Sequence, residues 1–482
     1  MLVCIFFRIF AADMYCLFVT FAIFFLQFID KMGSERVCLS ATALEMRAER
    51  EIEIDEFDYE VSPIYLDSIR SQGAKVLHTS RWLNGATIEA SDNIITSIRP
   101  FKFIDSIYLT RLDAPAFGVS PISLQKRSIE CVTQANPQIG SNSTQLALYN
   151  LLPLHQIGHH GKGIRIGIAD GGFYNADNWE VLPLQQWLGY ADLTDEDDDF
   201  FGSNGNHGAL CLSAILGSTK NYLGAAVDAE YFLFRTEEHN SESPKEIDNW
   251  VSAIEMADSL GLHIVSTSLG YSTFDNADFD FQYNDMNGHT SRGAQAALIA
   301  ARKGLLLVVA AGNDGNKAWH YLSTPADADS ILTVGAVDTI GLIANFSSYG
   351  PTADGRVKPE VCAVGKHTSL LNPSDNSIIR SNGTSFACPL IAGMAACLWS
   401  ALPQASNMEI RERIIRSANQ YNRPNDQYGY GIPDAWKAYS MQLTSDIRPT
   451  YHPMSPQKTL VNGQLRIQHN NQIYNILGCK IK

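Results

Sequence analysis

The chain has 482 residues, of which 45% are hydrophobic and 18% are charged, and its formal net charge is −15 at neutral pH. This composition is typical of globular proteins and excludes a disordered or fibrous chain. An acidic surface repels phosphate backbones, which argues against a nucleic-acid partner. The nine scattered cysteines include no CxxC pair, so they indicate neither a disulfide framework nor a zinc ribbon.

The N-terminal segment is strongly apolar. Residues 14–28 read MYCLFVTFAIFFLQF, which is closer to the core of a signal peptide than to a membrane-spanning helix of about 20 residues. We therefore assign residues 1–31 to a signal peptide, with a retained membrane anchor as the alternative. We expect an exported protein, at the periplasm, the cell surface or outside the cell, whose membrane contacts involve this segment alone.

A small α+β domain is predicted next, at residues 43–112. Apolar spacing and N-cap residues predict two helices, over 62–73 and 91–98. Strands are predicted near 57–61 and at 74–80, 86–90 and 106–112. The resulting order βαββαβ is that of a ferredoxin-like fold. Residues 113–160, which are rich in Pro, Gly, Asn and Ser, are interpreted as a linker and an entry segment.

From residue 161 onward, apolar strands alternate with helices. The strand candidates are 163–169, 229–235, 262–268, 305–311 and 331–337, and the helix candidates are 207–216, 244–260, 290–303, 384–402 and 406–418. Strands that are apolar throughout indicate a parallel sheet covered on both faces. We predict a doubly wound α/β domain over 161–440, with its site at the carboxyl ends of the strands. The polar residues 441–482 form a short tail.

Three residues at element ends carry the groups that peptide hydrolysis requires. Ser385 precedes a long apolar helix, where free amides favour negative charge; an N-cap serine is the alternative. His207 begins another apolar helix and is the residue type suited to a general base, although a surface histidine fits as well. Asp170 ends a buried strand, where a carboxylate could orient that histidine or simply begin a turn.

A fourth residue, Asn313, follows the strand 305–311 in the block AAGNDG. Its amide could donate to an oxyanion together with the backbone N–H of Ser385, and a turn asparagine is the alternative. The chain order Asp, His, Ser is the order of subtilisin. The sequence contains neither G-x-S-x-G nor H-E-x-x-H, which argues against an α/β-hydrolase esterase and against a zincin.

The blocks IGIADGGF, NGNHGA, STSLG, AAGNDG and NGTSFACP resemble the signature blocks of the subtilisin-like serine proteases, or subtilases. GTSFACP is the most specific of these blocks. Gly171 stands where this family usually has Ser or Thr, and Ala209 stands where it usually has Thr. The resemblance covers about residues 160–440, and the whole chain resembles exported subtilases of Bacteroides-like bacteria.

The resemblance implies a role for each group in a secreted serine endopeptidase. Ser385 would be the nucleophile, His207 the general base and then acid, Asp170 the orienting carboxylate, and Asn313 an oxyanion donor. Substrate-binding segments would be Ser268, Leu269 and Gly270, pairing with the peptide backbone, and Ala310, Ala311 and Gly312, lining the S1 pocket. The small N-terminal domain would be an inhibitory propeptide, so the expected partners are protein or peptide substrates and the chain's own propeptide.

No cofactor and no metal ligand is assigned from the sequence, although the resemblance allows calcium. The acidic run 194–199 is interpreted as a solvated loop, since its spacing matches no EF-hand calcium loop. Two other function classes are carried as alternatives. One is an inactive pseudoprotease that binds peptides, and the other is a nucleotide-binding protein, which the absence of G-x-G-x-x-G in IGIADGGF disfavours.

Overall fold

The structure is a computed structural model that describes residues 21–112, 140, 142–194, 200–202, 205–239 and 241–442, and the backbone of four further strands between 457 and 481. The chain divides into two compact units, residues 1–441 and residues 442–482. The acidic run from Asp195 to Asp199 and most of the predicted linker lie outside the described residues.

The small N-terminal domain is an antiparallel sheet with helices. Its elements are β1 (Phe21–Phe28), α1 (Ala41–Glu49), α2 (Pro63–Ser71), β2 (Lys75–Ser80), β3 (Gly85–Ser91), α3 (Asp92–Ile98) and β4 (Ile104–Arg111). The strands are arranged in the order β2-β3-β1-β4, so β1 is central and pairs antiparallel with both β3 and β4. The predicted helices and the last three predicted strands are all present, and the small α+β domain is confirmed.

The first strand of this domain corrects the prediction. The strand expected near 57–61 is absent, and residues 56–58 form a 3-10 helix instead. Strand β1 comes from the apolar segment that we assigned to a signal peptide, so the predicted start of the domain at residue 43 is also wrong. Cleavage at residue 31 would remove this central strand, and a signal peptide would therefore have to end before Phe21.

Burial on both faces explains why β1 was misread. Phe24, Leu26 and Phe28 pack into the core of the small domain, whereas Phe25 packs in a second core together with residues of the larger domain, such as Trp250. A strand with two apolar environments loses the alternation of polar and apolar residues that identifies a half-buried strand.

The larger domain is built on a seven-stranded sheet. Its strands are β5 (Arg165–Asp170), β6 (Trp187–Asp192), β9 (Glu230–Arg235), β10 (Ile264–Thr267), β11 (Leu306–Ala310), β12 (Leu332–Val337) and β13 (Val361–Val364). Two hairpins accompany it, β7 (Ser218–Thr219) with β8 (Tyr222–Leu223), and β14 (Thr368–Leu371) with β15 (Ile378–Ser381). The order β13-β12-β11-β10-β5-β9-β6 is parallel throughout, which confirms the predicted fold class.

Helices cover both faces of this sheet. They are α4 (Ser143–Leu148), α5 (Leu152–Gln156), α6 (His207–Leu216), α7 (Pro244–Leu260), α8 (Arg292–Arg302), α9 (Thr384–Ala401), α10 (Asn407–Ser417) and α11 (Ala435–Ser440). Among the described residues, α9 alone has the length and hydropathy of a membrane-spanning helix, and 89% of it is buried within the domain. A core helix has this environment, and its burial holds the start of α9 in place against the sheet.

The second unit is a small sheet of its own. Its strands are β16 (Gln457–Val461), β17 (Gln464–His469), β18 (Gln472–Tyr474) and β19 (Lys480–Ile481). Successive strands pair antiparallel.

Candidate active site

Three neighbouring parallel strands bring the candidate residues to one edge of the sheet. Strand β10 lies between β5 and β11, so the residues at their carboxyl ends converge. Asp170 is the last residue of β5, and Ser268 and Ala311 follow β10 and β11 directly. Side chains from the starts of α6 and α9 complete the group, as expected for a doubly wound fold.

Asp170 and His207 form a partly buried hydrogen bond. The Nδ1 atom of His207 lies 2.7 Å from Oδ1 of Asp170, and the carboxylate is 0% exposed. Burial of the imidazole is the largest single effect and opposes its protonation, but the Asp170 carboxylate and the Cys211 sulfur together outweigh it, so the pKa of His207 is raised well above its ordinary value. The contact therefore orients the ring with a proton on Nδ1, and it stabilises an imidazolium.

Ser385 is the second residue of α9 and is 8% exposed. The N-cap of this helix is Gly383, whose φ of 156° favours glycine, and the Ser385 side chain makes no capping hydrogen bond. The N-cap interpretation of Ser385 is therefore wrong. Its hydroxyl donates a long hydrogen bond of 3.4 Å to the carbonyl oxygen of Ser268, so it is weakly held at the positive end of a buried helix.

Two side chains donate to the backbone carbonyl of Ser385. The Ser268 hydroxyl donates at 2.7 Å, and the Cys211 thiol donates at 3.3 Å. Cys211 also lies 4.0 Å from Nδ1 of His207, so its sulfur connects the helix of the histidine to the helix of the serine. Cys211 was not predicted as a site residue, although its position four residues after His207 on α6 predicts a shared helix face.

Asn313 is anchored by the residue before the serine. Its Oδ1 accepts hydrogen bonds from the backbone N–H of Thr384 at 2.9 Å and from the Thr384 hydroxyl at 3.1 Å. Because the oxygen is held by these two donors, the amide nitrogen faces away from Thr384. The Thr384 side chain also contacts the backbone of Gly312 at 3.2 Å, which fixes the loop after β11. Thr384 is a further residue that the sequence analysis missed.

The two predicted substrate-binding segments follow the adjacent strands β10 and β11. Ser268, Leu269 and Gly270 continue from β10 as irregular backbone that becomes progressively more exposed, from buried Ser268 to exposed Gly270. Ala310 and Ala311 are buried and Gly312 is half-buried at the end of β11. Both segments therefore follow neighbouring strands at the same edge as Ser385, which is the placement that peptide binding beside the serine requires.

A second set of carboxylates lies close by. Oxygen atoms of Glu237, Glu242 and Glu246 come within 4.8 Å of one another. Burial, followed by the neighbouring carboxylates, raises the pKa of Glu246 to about 10, and burial is also the main cause that raises the pKa of Glu237 to about 8. Carboxylate oxygens are the ligands that calcium prefers, so these residues could hold the cation that the family resemblance allows.

The small domain is attached to the larger one by buried ion pairs of both polarities. Arg47 and Arg81 of the small domain contact Asp258 on α7 at 2.8 and 2.7 Å. In the opposite sense, Lys303 of the larger domain contacts Asp58 at 2.6 Å. All five side chains are at most 7% exposed. Removing one partner from such a pair typically costs about 3–5 kcal/mol, so the network holds the two domains together specifically.

Two family models match this chain. Residues 161–431 match the model of the Subtilase family, Peptidase S8, which covers more than half of the chain. Residues 24–121 match the Peptidase S8 propeptide domain of Bacteroidota. The second match begins within β1, in agreement with the structural correction of the domain start.

Two individual relatives agree with these matches. The chain is 28% identical over 295 residues to a thermostable alkaline protease of Halalkalibacterium halodurans, covering 61% of this chain and 72% of the relative. It is 30% identical over 275 residues to subtilisin DY of Bacillus licheniformis, covering 57% and 89%. A crystal structure of MycP1 from a type VII secretion system matches with a TM-score of 0.49 and 20% identity, covering 64% of this chain and 90% of that one. The chain belongs to the subtilase family and is a serine-type endopeptidase preceded by an S8 propeptide domain.

Proposed function

We propose that the chain is an exported proenzyme that cleaves peptide bonds through an acyl-enzyme, with Asp170, His207 and Ser385 as its triad. The observation that carries this proposal is the partly buried 2.7 Å contact between Asp170 and His207, at the sheet edge where α9 presents Ser385. His207 Nε2 takes the proton of the Ser385 hydroxyl as its oxygen attacks the substrate carbonyl. His207 then donates this proton to the leaving amine. In the second half of the reaction, His207 takes a proton from water as the water oxygen attacks the ester, and it returns the proton to the Ser385 oxygen.

Stabilisation of the oxyanion is assigned to two donors. The backbone N–H of Ser385 lies in the first turn of α9, where amides have no partner within the helix. Asn313 supplies the second donor, because the anchoring of its oxygen by Thr384 leaves its amide N–H groups for the substrate. Because such donors are preorganised, they need not move when negative charge develops on the substrate oxygen in the transition state.

The substrate is proposed to be an extended peptide. Segment 268–270 would pair with its backbone, and segment 310–312 would line the pocket for the side chain before the scissile bond. Both segments lie at the edge of the sheet that carries Ser385.

The propeptide domain is proposed to inhibit the enzyme until it is removed. Strand β4 ends at Arg111, which forms an ion pair with Glu238, a buried residue three positions after β9. The chain therefore leaves the propeptide sheet at the edge where the candidate site lies. The buried ion pairs between Arg47, Arg81 and Asp258 hold the domain in this position. Export is proposed to depend on apolar residues before Phe21.

An inactive peptide-binding pseudoprotease is the second candidate. The observation in its favour is that the Ser385 hydroxyl is hydrogen-bonded to the carbonyl of Ser268 rather than to His207. This arrangement is also compatible with an active enzyme, since apo active sites often have loose hydrogen bonds.

Labelling with a fluorophosphonate distinguishes the two candidates. We expect the processed protein to be labelled on Ser385, because only an activated serine attacks phosphorus at an appreciable rate. Mass spectrometry of the labelled peptide identifies the modified residue. Absence of labelling in processed, folded protein would favour the pseudoprotease.

Replacement of the proposed oxyanion donor tests Asn313. We expect Asn313→Ala to lower kcat by roughly 10²–10³-fold with a smaller change in KM, since the lost hydrogen bond forms mainly in the transition state. Asn316→Ala, in the same exposed loop, is the matched control and should retain normal kinetics. Steady-state kinetics on a chromogenic peptide measure both variants, and an unchanged kcat in Asn313→Ala would remove this residue from the oxyanion hole.

A further inference from the structure

The propeptide domain contains a long segment between its first strand and its second helix. Residues 29–62 separate β1 from α2, and they include α1 and the 3-10 helix at 56–58. The two ends of this segment run beside each other, because Val37 forms an antiparallel bridge with Tyr59. A connection between a strand and a helix usually takes about 2–6 residues, so this segment is longer than the propeptide sheet requires. We call residues 29–62 the arm.

The arm contacts the larger domain at the sheet edge opposite the candidate site. The backbone N–H of Ser40 donates to the carbonyl of Ser259 at 2.8 Å, and the guanidinium of Arg50 donates to the carbonyl of Gly304 at 3.2 Å. Ser259 lies in the last turn of α7, which leads into β10, and Gly304 lies just before β11. Both contacts are therefore at the amino-terminal ends of parallel strands, whereas Asp170 is at a carboxyl-terminal end.

Helix α9 gives the separation between the arm and the nucleophile. The guanidinium of Arg50 lies over the ring of Trp399, 4.8 Å from its centroid, which is a favourable cation–π arrangement. Trp399 follows Ser385 by 14 residues on this continuous helix, a distance of about 21 Å at 1.5 Å per residue. The arm is thus too far from Ser385 to obstruct a substrate directly.

Charges of both signs on each side define the docking of the arm. Arg47 on α1 contacts Asp258 of the larger domain at 2.8 Å and Asp58 of the arm at 3.1 Å. In return, Lys303 of the larger domain contacts Asp58 and Asp55 of the arm, each at 2.6 Å. A partner of a single charge sign would be repelled at one of these positions. The surface therefore fits a segment that presents a cation and an anion in this order.

We propose that this far edge is an exosite for the arm, and that the exosite sets how long the propeptide domain stays bound after the chain is cut. The exosite is formed by Asp258, Ser259, Lys303, Gly304 and Trp399. The inference rests on the proposed inhibitory role of the propeptide domain. Attachment at two opposite edges makes the binding bivalent, so the arm holds the domain nearby whenever the contacts beside the candidate site open. A substrate that enters the candidate site leaves the exosite occupied.

The exosite selects a particular kind of partner. Arg47 and Arg50 are three residues apart on and directly after α1, so they lie on one side of the helix end. One guanidinium meets the Asp258 carboxylate and the other meets the Trp399 ring. A helix that carries two arginines one turn apart, followed by acidic residues for Lys303, is the partner that this surface recognises.

Retention of the cut propeptide domain is measured first, in the absence of catalysis. The full chain carries Ser385→Ala and, inserted between residues 113 and 139, a site for a sequence-specific protease. After cutting, gel filtration at successive times separates any released propeptide domain. We expect Arg47→Met to release this domain at least roughly tenfold faster than the otherwise identical chain, because loss of one partner of a buried charge pair acts on dissociation. Equal release rates overturn the proposal.

The choice of variant preserves folding. The two acidic partners of Arg47 keep other cations, Arg81 and Lys303, at 2.7 and 2.6 Å, so no buried carboxylate is left unpaired. If Arg47→Met nevertheless does not fold by circular dichroism, Arg50→Ala takes its place. Arg70→Ala is the matched control, because Arg70 is an exposed arginine of the propeptide domain that pairs with Asp67 on its own helix. It should release the domain at the parental rate.

Competition distinguishes the exosite from the contacts at the candidate site. Excess casein is added to the cut Ser385→Ala chain, in which it binds without being hydrolysed. We expect casein to change the release rate by less than Arg47→Met does, because it does not compete for the exosite. Release by casein that is as fast as release in Arg47→Met would show that the contacts beside the candidate site set retention, and it would overturn the proposal.

The active chain provides a separate readout. Arg47→Met should shorten the delay between cutting of the chain, followed by gel electrophoresis, and the appearance of casein hydrolysis. The kcat of the fully released enzyme should be unchanged, because Arg47 lies outside the larger domain. An unchanged delay overturns the proposal. Faster release in Arg47→Met/Ser385→Ala, combined with a parent chain that never hydrolyses casein, would contradict the proposed function and leave the exosite intact.

Discussion

Ser385→Ala is expected to abolish hydrolysis of casein and to leave the propeptide domain covalently attached. Removal of the nucleophile should lower kcat by roughly 10⁶-fold. The same residue is expected to cut the chain after the propeptide domain, so the variant should accumulate as the uncleaved form. Gel electrophoresis of the purified protein reports the processing, and release of fluorescent peptides from labelled casein reports the hydrolysis.

The folded state of Ser385→Ala should be close to that of the parent. The hydroxyl makes only a hydrogen bond of 3.4 Å, so its removal takes little from the stability of α9. Ser400→Ala is the matched control. Ser400 lies near the other end of the same helix, and its hydroxyl donates a hydrogen bond to the backbone carbonyl of Cys397. Normal processing and normal casein hydrolysis in Ser385→Ala would contradict the assignment of the nucleophile.

Much of the larger domain could be predicted because its central strands are apolar on both faces. The predicted ranges 229–235 and 305–311 differ from the observed strands β9 and β11 by no more than one residue at either end. The edge strands β6 and β13 were not predicted. Four of the six residues of β6 are only partly buried, so it has no continuous apolar run. Strand β13 has four residues, which is too short to separate from its surroundings by periodicity.

The same double burial misled the interpretation of β1. Phe24 and Phe25 contribute to different cores, and a strand between two cores has the composition of a signal peptide. Only the long-range pairing with β3 and β4 identifies it. Sequence periodicity reports local burial and contains no information on such partners.

The candidate site shows the same division between local and long-range information. Asp170 and His207 were predicted as site residues from the end of a strand and the start of a helix. Nδ1 of His207 lies 2.7 Å from Oδ1 of Asp170. The anchoring of Asn313 by Thr384 joins residues 71 positions apart and depends on the packing of α9 against the sheet. Cys211 is different, because its helical spacing from His207 is local and could have identified it from the sequence.

Asp170→Asn is expected to lower kcat by roughly 10⁴-fold and to shift the pH profile. The carboxylate raises the pKa of His207, and catalysis needs the neutral imidazole. Activity therefore appears as the pH rises through the pKa of His207. Without the negative charge, this pKa falls, so the acidic limb of the kcat/KM profile should move to lower pH while the maximum decreases. Measurement of kcat/KM across the pH range for parent and variant determines both effects.

The shift in the acidic limb separates an orienting carboxylate from a merely structural one. A residue that only supports the fold would lower the amount of active enzyme at every pH and leave the midpoint of the limb unchanged. Asp177→Asn, in the loop that follows β5, is the control and should preserve both rate and profile. A reduced rate with an unmoved limb in Asp170→Asn would mean that the charge of Asp170 does not act on His207, and the triad would then lack its third member.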